Sequence, residues 1–362
     1  MKIVIAGGGT AGHVFPAIAL AEQLASRGHE LLFVGTDRGL EVNLVPKAGF
    51  TLRALHVEPF PRKLSTRLVT APLSLLRSIG QSRALVEDAQ VVVGMGGYAS
   101  APAVLAARKA HLPIVLHEQN AVPGAANRFL ARWARAVALS FDGSASRFKA
   151  HTVHTGNPVR SQVAAVPSAR GELRLEALDV LGLDAGRRTL IVFGGSQGAA
   201  HINGVALEMC RILADRSDLQ VVLLTGDAHV DAVSRQLPQG DLTVQALGFL
   251  DRMELAYAVA DLAVARAGAT SIAELTMCGI PSLLIPYPHA TANHQEANAR
   301  ALERVGGAEV ILDPQLTPEV LAVHVQRLFG EPGVLSEMAV SSRAFGKPDA
   351  ALELADLVEG AA

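Results

Sequence analysis

The chain has 362 residues, half of them apolar, with 32 Lys and Arg against 34 Asp and Glu and a formal net charge of −2. That length supports two domains with full cores, and the apolar content excludes a disordered chain. The near-neutral charge and the 4 % aromatic content give no case for a nucleic-acid partner.

Cys210 and Cys278 lie far apart with no CxxC or Cys/His spacing, so no structural zinc site is expected. The apolar runs are short and broken, well under the roughly 20 residues that cross a bilayer. The N-terminal run lacks the apolar core of a signal peptide. Any membrane contact is therefore expected to be peripheral.

The first predicted strand, Lys2–Ala6, runs into Gly7-Gly8-Gly9-Thr10-Ala11-Gly12-His13 and then a helical pattern. Gly7, Gly9 and Gly12 satisfy G-x-G-x-x-G, the usual sign of a dinucleotide loop. That reading needs an acid at the end of the second strand for the ribose. The strand ends instead at Phe33-Val34-Gly35-Thr36, with Asp37 arriving late. His13 is unexplained by a dinucleotide. In the first helical turn its neutral imidazole can accept a proton, and the helix N-terminus favours the neutral form. A capping or packing role is the alternative.

Further strands are predicted at Leu31–Val34, Val91–Val93, Pro113–Leu116 and Ala136–Leu139. A second glycine loop, Gly94–Gly97, lies in VVVGMGGYASAP. Between them, Arg62, Lys63, Arg67, Arg77 and Arg83 interleave with Leu64, Leu68, Val69, Leu73, Leu75, Leu76 and Ile79. This is either an amphipathic helix with its apolar side in the core, or a basic-rimmed face for anionic lipid.

The pattern restarts in the second half. Strands are predicted at Thr189–Phe193, Gln220–Leu224, Val244–Ala246, Leu262–Ala265 and Ser282–Ile285, and a third glycine loop covers Gly194-Gly195-Ser196-Gln197-Gly198. Apolar strands alternating with helices indicate α/β architecture: two Rossmann-like, doubly wound parallel sheets with an interdomain cleft. The boundary is placed in the irregular stretch near Arg160–Ser168. The expected domains are 1–163 and 164–345, with a C-terminal helix in 346–362 packing back on the first. After the Leu262–Ala265 strand, Ala269, Thr270 and Ser271 can open a helix toward a diphosphate, and Glu274 can take ribose hydroxyls. A capping box of Ser271 and Glu274 is the rival. The amide-rich stretch Ala290–Ala299 suits sugar hydroxyls, or is an ordinary polar loop.

GGGTAGHVFPAIALA, VVVGMGGYASAP, LHEQNAVPGAANR, TGNPVR, FGGSQGA, RAGATSIAEL and NHQEANA, in this order, resemble the MurG family of bacterial peptidoglycan glycosyltransferases. The matches run from residue 3 to about 299. The resemblance implies a glycosyltransferase fold of the B type, UDP-N-acetylglucosamine as donor, and the undecaprenyl-diphospho-muramyl-pentapeptide lipid I as acceptor, giving lipid II. It implies donor contacts from Thr10, Ala11, Gly12, Asn127, Arg160, Ser196, Leu250, Ala269, Thr270, Ser271, Glu274 and Gln295. Gly9, Gly96, Gly97 and Tyr98 would face the acceptor diphosphate. Arg62, Lys63, Arg67, Leu68, Leu75, Leu76 and Ile79 would form a membrane patch. Two departures stand out: His294-Gln295 where some members have two glutamines, and Ala11 where many have glycine.

The implied chemistry is attack by the acceptor 4-hydroxyl on C1 of the donor sugar, with inversion. His13 is the first choice of base and Glu118 the second. No Asp-x-Asp metal motif is present, so no cofactor is required and Mg2+ is at most an assistant. The implied location is the cytoplasmic face of the cell membrane, peripherally bound to its anionic inner leaflet, with cell-wall synthesis proteins as further partners and no nucleic acid. The rivals are a nicotinamide or flavin oxidoreductase, a nucleotide-sugar epimerase, and a non-catalytic nucleotide-sugar binder.

Overall fold

A computed structural model of the chain describes residues 1–57, 67–195 and 199–362, with side chains left aside for 67–72. The chain forms two compact units, Met1–Arg160 with Lys347–Ala362, and Ser161–Gly346. The division falls at 160/161, three residues before the boundary read from sequence, and the tail rejoins the first unit from Lys347.

The first unit runs β1 (Lys2–Ala6), α1 (Ala11–Ser26), β2 (Glu30–Thr36), α2 (Glu41–Lys47), β3 (Thr51–Leu55), α3 (Arg67–Val86), β4 (Val91–Gly94), α4 (Gly97–Lys109), β5 (Ile114–Glu118), α5 (Ala125–Leu130), β6 (Ala136–Leu139) and β7 (Thr152–His154). The strands form one sheet in the order β3-β2-β1-β4-β5-β6-β7. Pairing is parallel, with Ile3 opposite Leu31 on one side and Val91 on the other. β4 and β6 are buried along their whole length, as parallel strands covered on both faces must be.

The second unit runs α6 (Ser161–Ala164), α7 (Val166–Val180), β8 (Arg188–Phe193), α8 (Ala200–Ile212), β9 (Leu219–Leu224), α9 (Val230–Ser234), β10 (Thr243–Leu247), α10 (Met253–Val259), β11 (Leu262–Ala265), α11 (Ala269–Cys278), β12 (Ser282–Leu284), α12 (His294–Glu303), β13 (Ala308–Val310), α13 (Pro318–Gly330) and α14 (Val334–Phe345). Its sheet order is β10-β9-β8-β11-β12-β13. Leu190 of β8 lies between Val221 and Leu262 in register. Both sheets therefore reverse strand order beside their first strand, between β1 and β4 and between β8 and β11.

Three strands escape the sequence reading: β3, β7 and β13. All are sheet edges. β3 is largely exposed, and β7 and β13 have three residues each, so none carries the continuous apolar run that marks an interior strand.

The tail helix α15 (Ala350–Glu359) packs on α1 in the first unit. Leu354, Ala355 and Val358 join Val14, Ala17, Ala21 and Leu24 in one buried cluster. Arg27 reaches Asp356 and Glu359, both at 2.6 Å, and His29 bonds Glu359. His29 and Arg27 hold the Glu359 carboxyl below its ordinary range. These exposed pairs add little beside the apolar contact. Leu354→Ala removes a fully buried side chain and should lower stability by about 2–5 kcal/mol, measured by urea denaturation of the full chain.

Candidate functional site

Ligands of doubly wound sheets sit beyond the carboxyl ends of the strands, where the strand order reverses. In the first unit that point brings together the loops after β1 and β4. The Met95 amide donates to the Ala6 carbonyl, and a Cβ on Gly7 would stand 2.9 Å from the Met95 Cβ. The α1 and α4 helices begin there with no acidic residue in the first turn and no side-chain cap. Neither first turn supplies a counter-charge of its own to the positive helix end.

The glycine loop after β1 rests on a buried carboxylate. Glu41, from α2, accepts from the Thr36 amide and hydroxyl, both at 2.7 Å, and from the Gly9 amide at 2.8 Å. Gly8 has to be glycine, because a Cβ there would fall 2.1 Å from Glu41 Oε1. The Gly9 N–H is taken by Glu41, so the loop that the resemblance turns toward the acceptor diphosphate does not offer this hydrogen. Glu41 also answers the missing ribose acid: it is the acid near the end of β2, and it faces the loop's own backbone. Burial and the Glu41 charge raise the Tyr98 hydroxyl, so it stays protonated. Ala11 starts α1 and is not among the non-glycine residues with positive φ, which explains why a methyl is tolerated.

His13 stands in the first turn of α1, half-buried. Its Nδ1 lies 3.1 Å from Gln119 Oε1. Gln119 Nε2 donates to the Met95 carbonyl at 2.7 Å and meets His117 Nδ1 at 2.9 Å. His117 Nε2 lies 3.1 Å from the Gly156 carbonyl. Gly96 and Gly97 press on the same imidazole with φ of 89° and 71°. A Cβ on Gly97 would meet His13 Nε2 at 3.3 Å, and one on Gly96 would meet His13 Cε1 at 3.2 Å. The GMGG sequence thus serves the close approach of backbone to histidine.

Glu118 is 2 % exposed. Its carboxylate accepts from the Asn120 amide at 3.0 Å, the Gly124 amide at 3.1 Å and Asn127 Nδ2 at 2.9 Å. It is occupied with its own loop. Asn127 also donates to the His117 carbonyl at 3.0 Å. Its buried Oδ1 has no hydrogen-bond partner among the described residues. Asn120, not singled out in the sequence reading, is partly exposed on the same loop. Arg160 lies over the Phe15 ring, 4.3 Å from the centroid.

In the second unit the corresponding point joins the loops after β8 and β11. Ser196 lies outside the described residues. The α11 helix is capped by Gly268 and has no acid in its first turn, which holds Ala269, Thr270 and Ser271. With the cap at Gly268, Ser271 sits inside the helix, so the capping-box alternative falls. Glu274 is 5 % exposed, and the buried Tyr257 hydroxyl donates to its Oε2 at 2.8 Å. Arg266, 8 % exposed, bonds the Ile285 and Pro286 carbonyls and Asp313, tying the loops after β11 and β12 together. The Tyr287 amide donates to Gln295 Oε1 at 2.9 Å. Just before it, Ala292 and Asn293 both adopt φ of 52°, a left-handed pair that costs roughly 1–2 kcal/mol per residue. Leu250 packs beside Leu255 and Val259.

The membrane patch divides. Arg62 and Lys63 lie outside the described residues, and only the backbone of Arg67 and Leu68 is described, in α3. Ile79 is 8 % exposed in the core and Leu75 packs against the same cluster. These two are corrections: they face inward because α3 packs on α4, which buries that stripe in the shared cluster. Leu73 and Leu76 are 56 % and 62 % exposed, and Arg77 and Arg83 are exposed with them. A cavity of about 570 Å³ elsewhere in this unit is lined by Arg128, Phe129, Arg132, Arg147, Phe148 and Lys149.

The fold and motifs define a class of nucleotide-sugar enzyme. Residues 3–139 match the glycosyltransferase family 28 N-terminal domain, and 189–354 match the glycosyltransferase family 28 C-terminal domain. A Halothermothrix orenii protein called UDP-N-acetylglucosamine--N-acetylmuramyl-(pentapeptide) pyrophosphoryl-undecaprenol N-acetylglucosamine transferase is 42 % identical, the match covering 100 % of this chain and 99 % of that relative. A Bacillus subtilis protein of the same name is 37 % identical, with 99 % of each chain covered. The crystal structure of Acinetobacter baumannii MurG matches with a TM-score of 0.80 at 29 % identity, covering 99 % of each chain. The chain belongs to the MurG family of N-acetylglucosamine transferases.

Burial in this site has a measurable consequence. It lowers the His117 imidazole from 6.5 to about 4, with the His13 charge adding to the effect and the Gly156 hydrogen bond opposing it. The unfolded chain binds this proton near pH 6.5 and the folded chain does not. The contribution is fully present above 6.5 and is lost as pH falls toward 4, by roughly 3 kcal/mol in total. Urea midpoints of the His117→Asn variant should fall less steeply between pH 6.5 and 4 than those of the parent chain.

Proposed function

We propose that this chain transfers N-acetylglucosamine from UDP-N-acetylglucosamine to the 4-hydroxyl of lipid I, giving lipid II with inversion at the anomeric carbon. The observation that carries this reading is the 42 % identity, over the whole chain, to a transferase of that name. The second unit holds the donor. The first turn of α11, at Ala269, Thr270 and Ser271, faces the diphosphate, and the resemblance adds Ser196. Glu274, oriented by Tyr257, takes the ribose hydroxyls. Leu250 and Arg160 lie against the nucleotide. Gln295 reads the sugar hydroxyls, and the resemblance adds Asn127 of the first unit to that role.

The first unit activates the acceptor. The acceptor oxygen forms a bond to C1 of the donor sugar as the bond from C1 to the diphosphate breaks. The electron pair leaves with UDP, and the hydroxyl proton passes to His13. Thr10, Ala11 and Gly12 approach the donor sugar, while Gly96, Gly97 and Tyr98 face the acceptor diphosphate. Glu118 is the loop's anchor rather than the base, since its carboxylate is engaged by Asn120, Gly124 and Asn127. Helix N-termini and loop amides stabilise the departing charge.

UDP release from UDP-N-acetylglucosamine tests this directly. It should require a lipid I analogue; turnover of the donor without acceptor would favour an epimerase. His13→Ala should lower kcat by about 10²–10⁴-fold with donor binding retained, and near-normal kcat would remove the base.

The lipid acceptor implies a peripheral location on the cytoplasmic face of the membrane. Among the described residues no helix is long and apolar enough to cross a membrane. Leu73 and Leu76 project from α3 beside exposed arginines. Arg128, Arg132, Arg147 and Lys149 have no acidic partner among the described residues. Such a surface suits anionic headgroups. Replacing Leu73 and Leu76 with Glu should abolish sedimentation with anionic vesicles, and unchanged sedimentation would refute this face.

A further inference from the structure

We propose that Gln119 is the positioning residue that fixes the tautomer of His13, placing its hydrogen on Nδ1 and its lone pair on Nε2, with His117 and the Gly156 carbonyl holding Gln119 in turn. This rests on His13 being the base of the transfer.

The assignment follows from which atoms donate. A backbone carbonyl only accepts, so the Gln119 atom 2.7 Å from the Met95 carbonyl is the amide nitrogen. The other amide atom, Oε1, then faces His13 Nδ1 at 3.1 Å and also only accepts. His13 must carry its hydrogen on Nδ1. The far end of the chain gives the same answer. The Gly156 carbonyl, 3.1 Å from His117 Nε2, requires a hydrogen there. That leaves His117 Nδ1 as the acceptor for the second hydrogen of Gln119 Nε2, at 2.9 Å. Every group in the line has one consistent role, and reversing one link sets two acceptors or two donors against each other.

Burial makes the line rigid. Gln119 is 1 % exposed and His117 is fully buried, and such groups are costly to leave unpaired. Among the described residues, the titratable groups on neighbouring elements include His117 and Glu118 on β5, Tyr98 on α4 and Glu41 on α2. Glu118 and Glu41 are tied to their own loops, and burial keeps His117 neutral. On the Nδ1 side, the contact that sets the His13 proton is the Gln119 oxygen. As His13 takes the acceptor proton on Nε2, the Nδ1–H bond to Oε1 strengthens and stabilises the imidazolium.

The test reads the tautomer without relying on turnover. Side-chain 1H–15N correlation spectra of the full chain at pH 8 should show His13 with hydrogen on Nδ1 and His117 with hydrogen on Nε2. A His13 hydrogen on Nε2 in the unmodified protein overturns the proposal, whatever the activity. Gln119→Met, which fills the space without an acceptor, should give mixed His13 tautomers. Its kcat should fall by about 10–100-fold with KM for the donor within threefold, and the acidic limb of its kcat/KM profile should move to lower pH. Unchanged kcat and an unmoved limb in Gln119→Met, with His13→Ala inactive, overturn the positioning role and leave the base intact. An active His13→Ala overturns the base reading, and the proposal falls with it.

Discussion

Each parallel sheet reverses its strand order beside its first strand, and the chemistry of this protein depends on that reversal. On either side of β1 and of β8, the following helices pack on opposite faces of the sheet. The loops at the carboxyl ends of the neighbouring strands therefore lead to opposite faces, and the point where they diverge is where such sheets take a ligand. Each such point is lined by helix N-termini with no acidic residue in the first turn. The same topology built twice yields two anion-tolerant sites without any common side-chain set.

The two copies differ in what fills them. In the first unit the acid near the end of β2 is turned inward. Glu41 saturates its carboxylate with the Thr36 and Gly9 backbone and the Thr36 hydroxyl. The glycine loop is thereby fixed from below, and a ribose has no acid to bind. The space above the loop holds an imidazole in contact with the Gln119 amide, with the Gly96 and Gly97 backbone close by. In the second unit the acid is Glu274, one turn into α11 and oriented by a tyrosine. On the proposed function, one unit serves proton transfer and the other keeps the features of a nucleotide site.

The interior strands were legible in the sequence because parallel strands buried on both faces read as unbroken apolar runs. The glycine loops and His13 were legible because they follow those runs directly. What the sequence hid are contacts between distant positions. Gln119 touches His13 across 106 residues, and nothing local in LHEQN reveals that its glutamine meets a histidine in the first turn of α1. Glu41 reads as an ordinary helix-start acid, and only the fold shows three glycines crowding it. The basic, leucine-rich stretch was legible as amphipathic but not in its phase. Leu75 and Ile79 turned to the core while Leu73 and Leu76 turned outward, a distinction that depends on how α3 sits on its neighbours.

The central claim is that the two reversal points have divided the work, nucleotide in the second unit and proton transfer in the first. A crystal structure of the full chain with UDP bound tests it most directly. The account predicts the diphosphate at the first turn of α11 and the ribose hydroxyls on Glu274, with the Gly7–Gly12 loop unoccupied by nucleotide. A nucleotide seated on Gly7–Gly12, with its ribose turned toward β2, would contradict it.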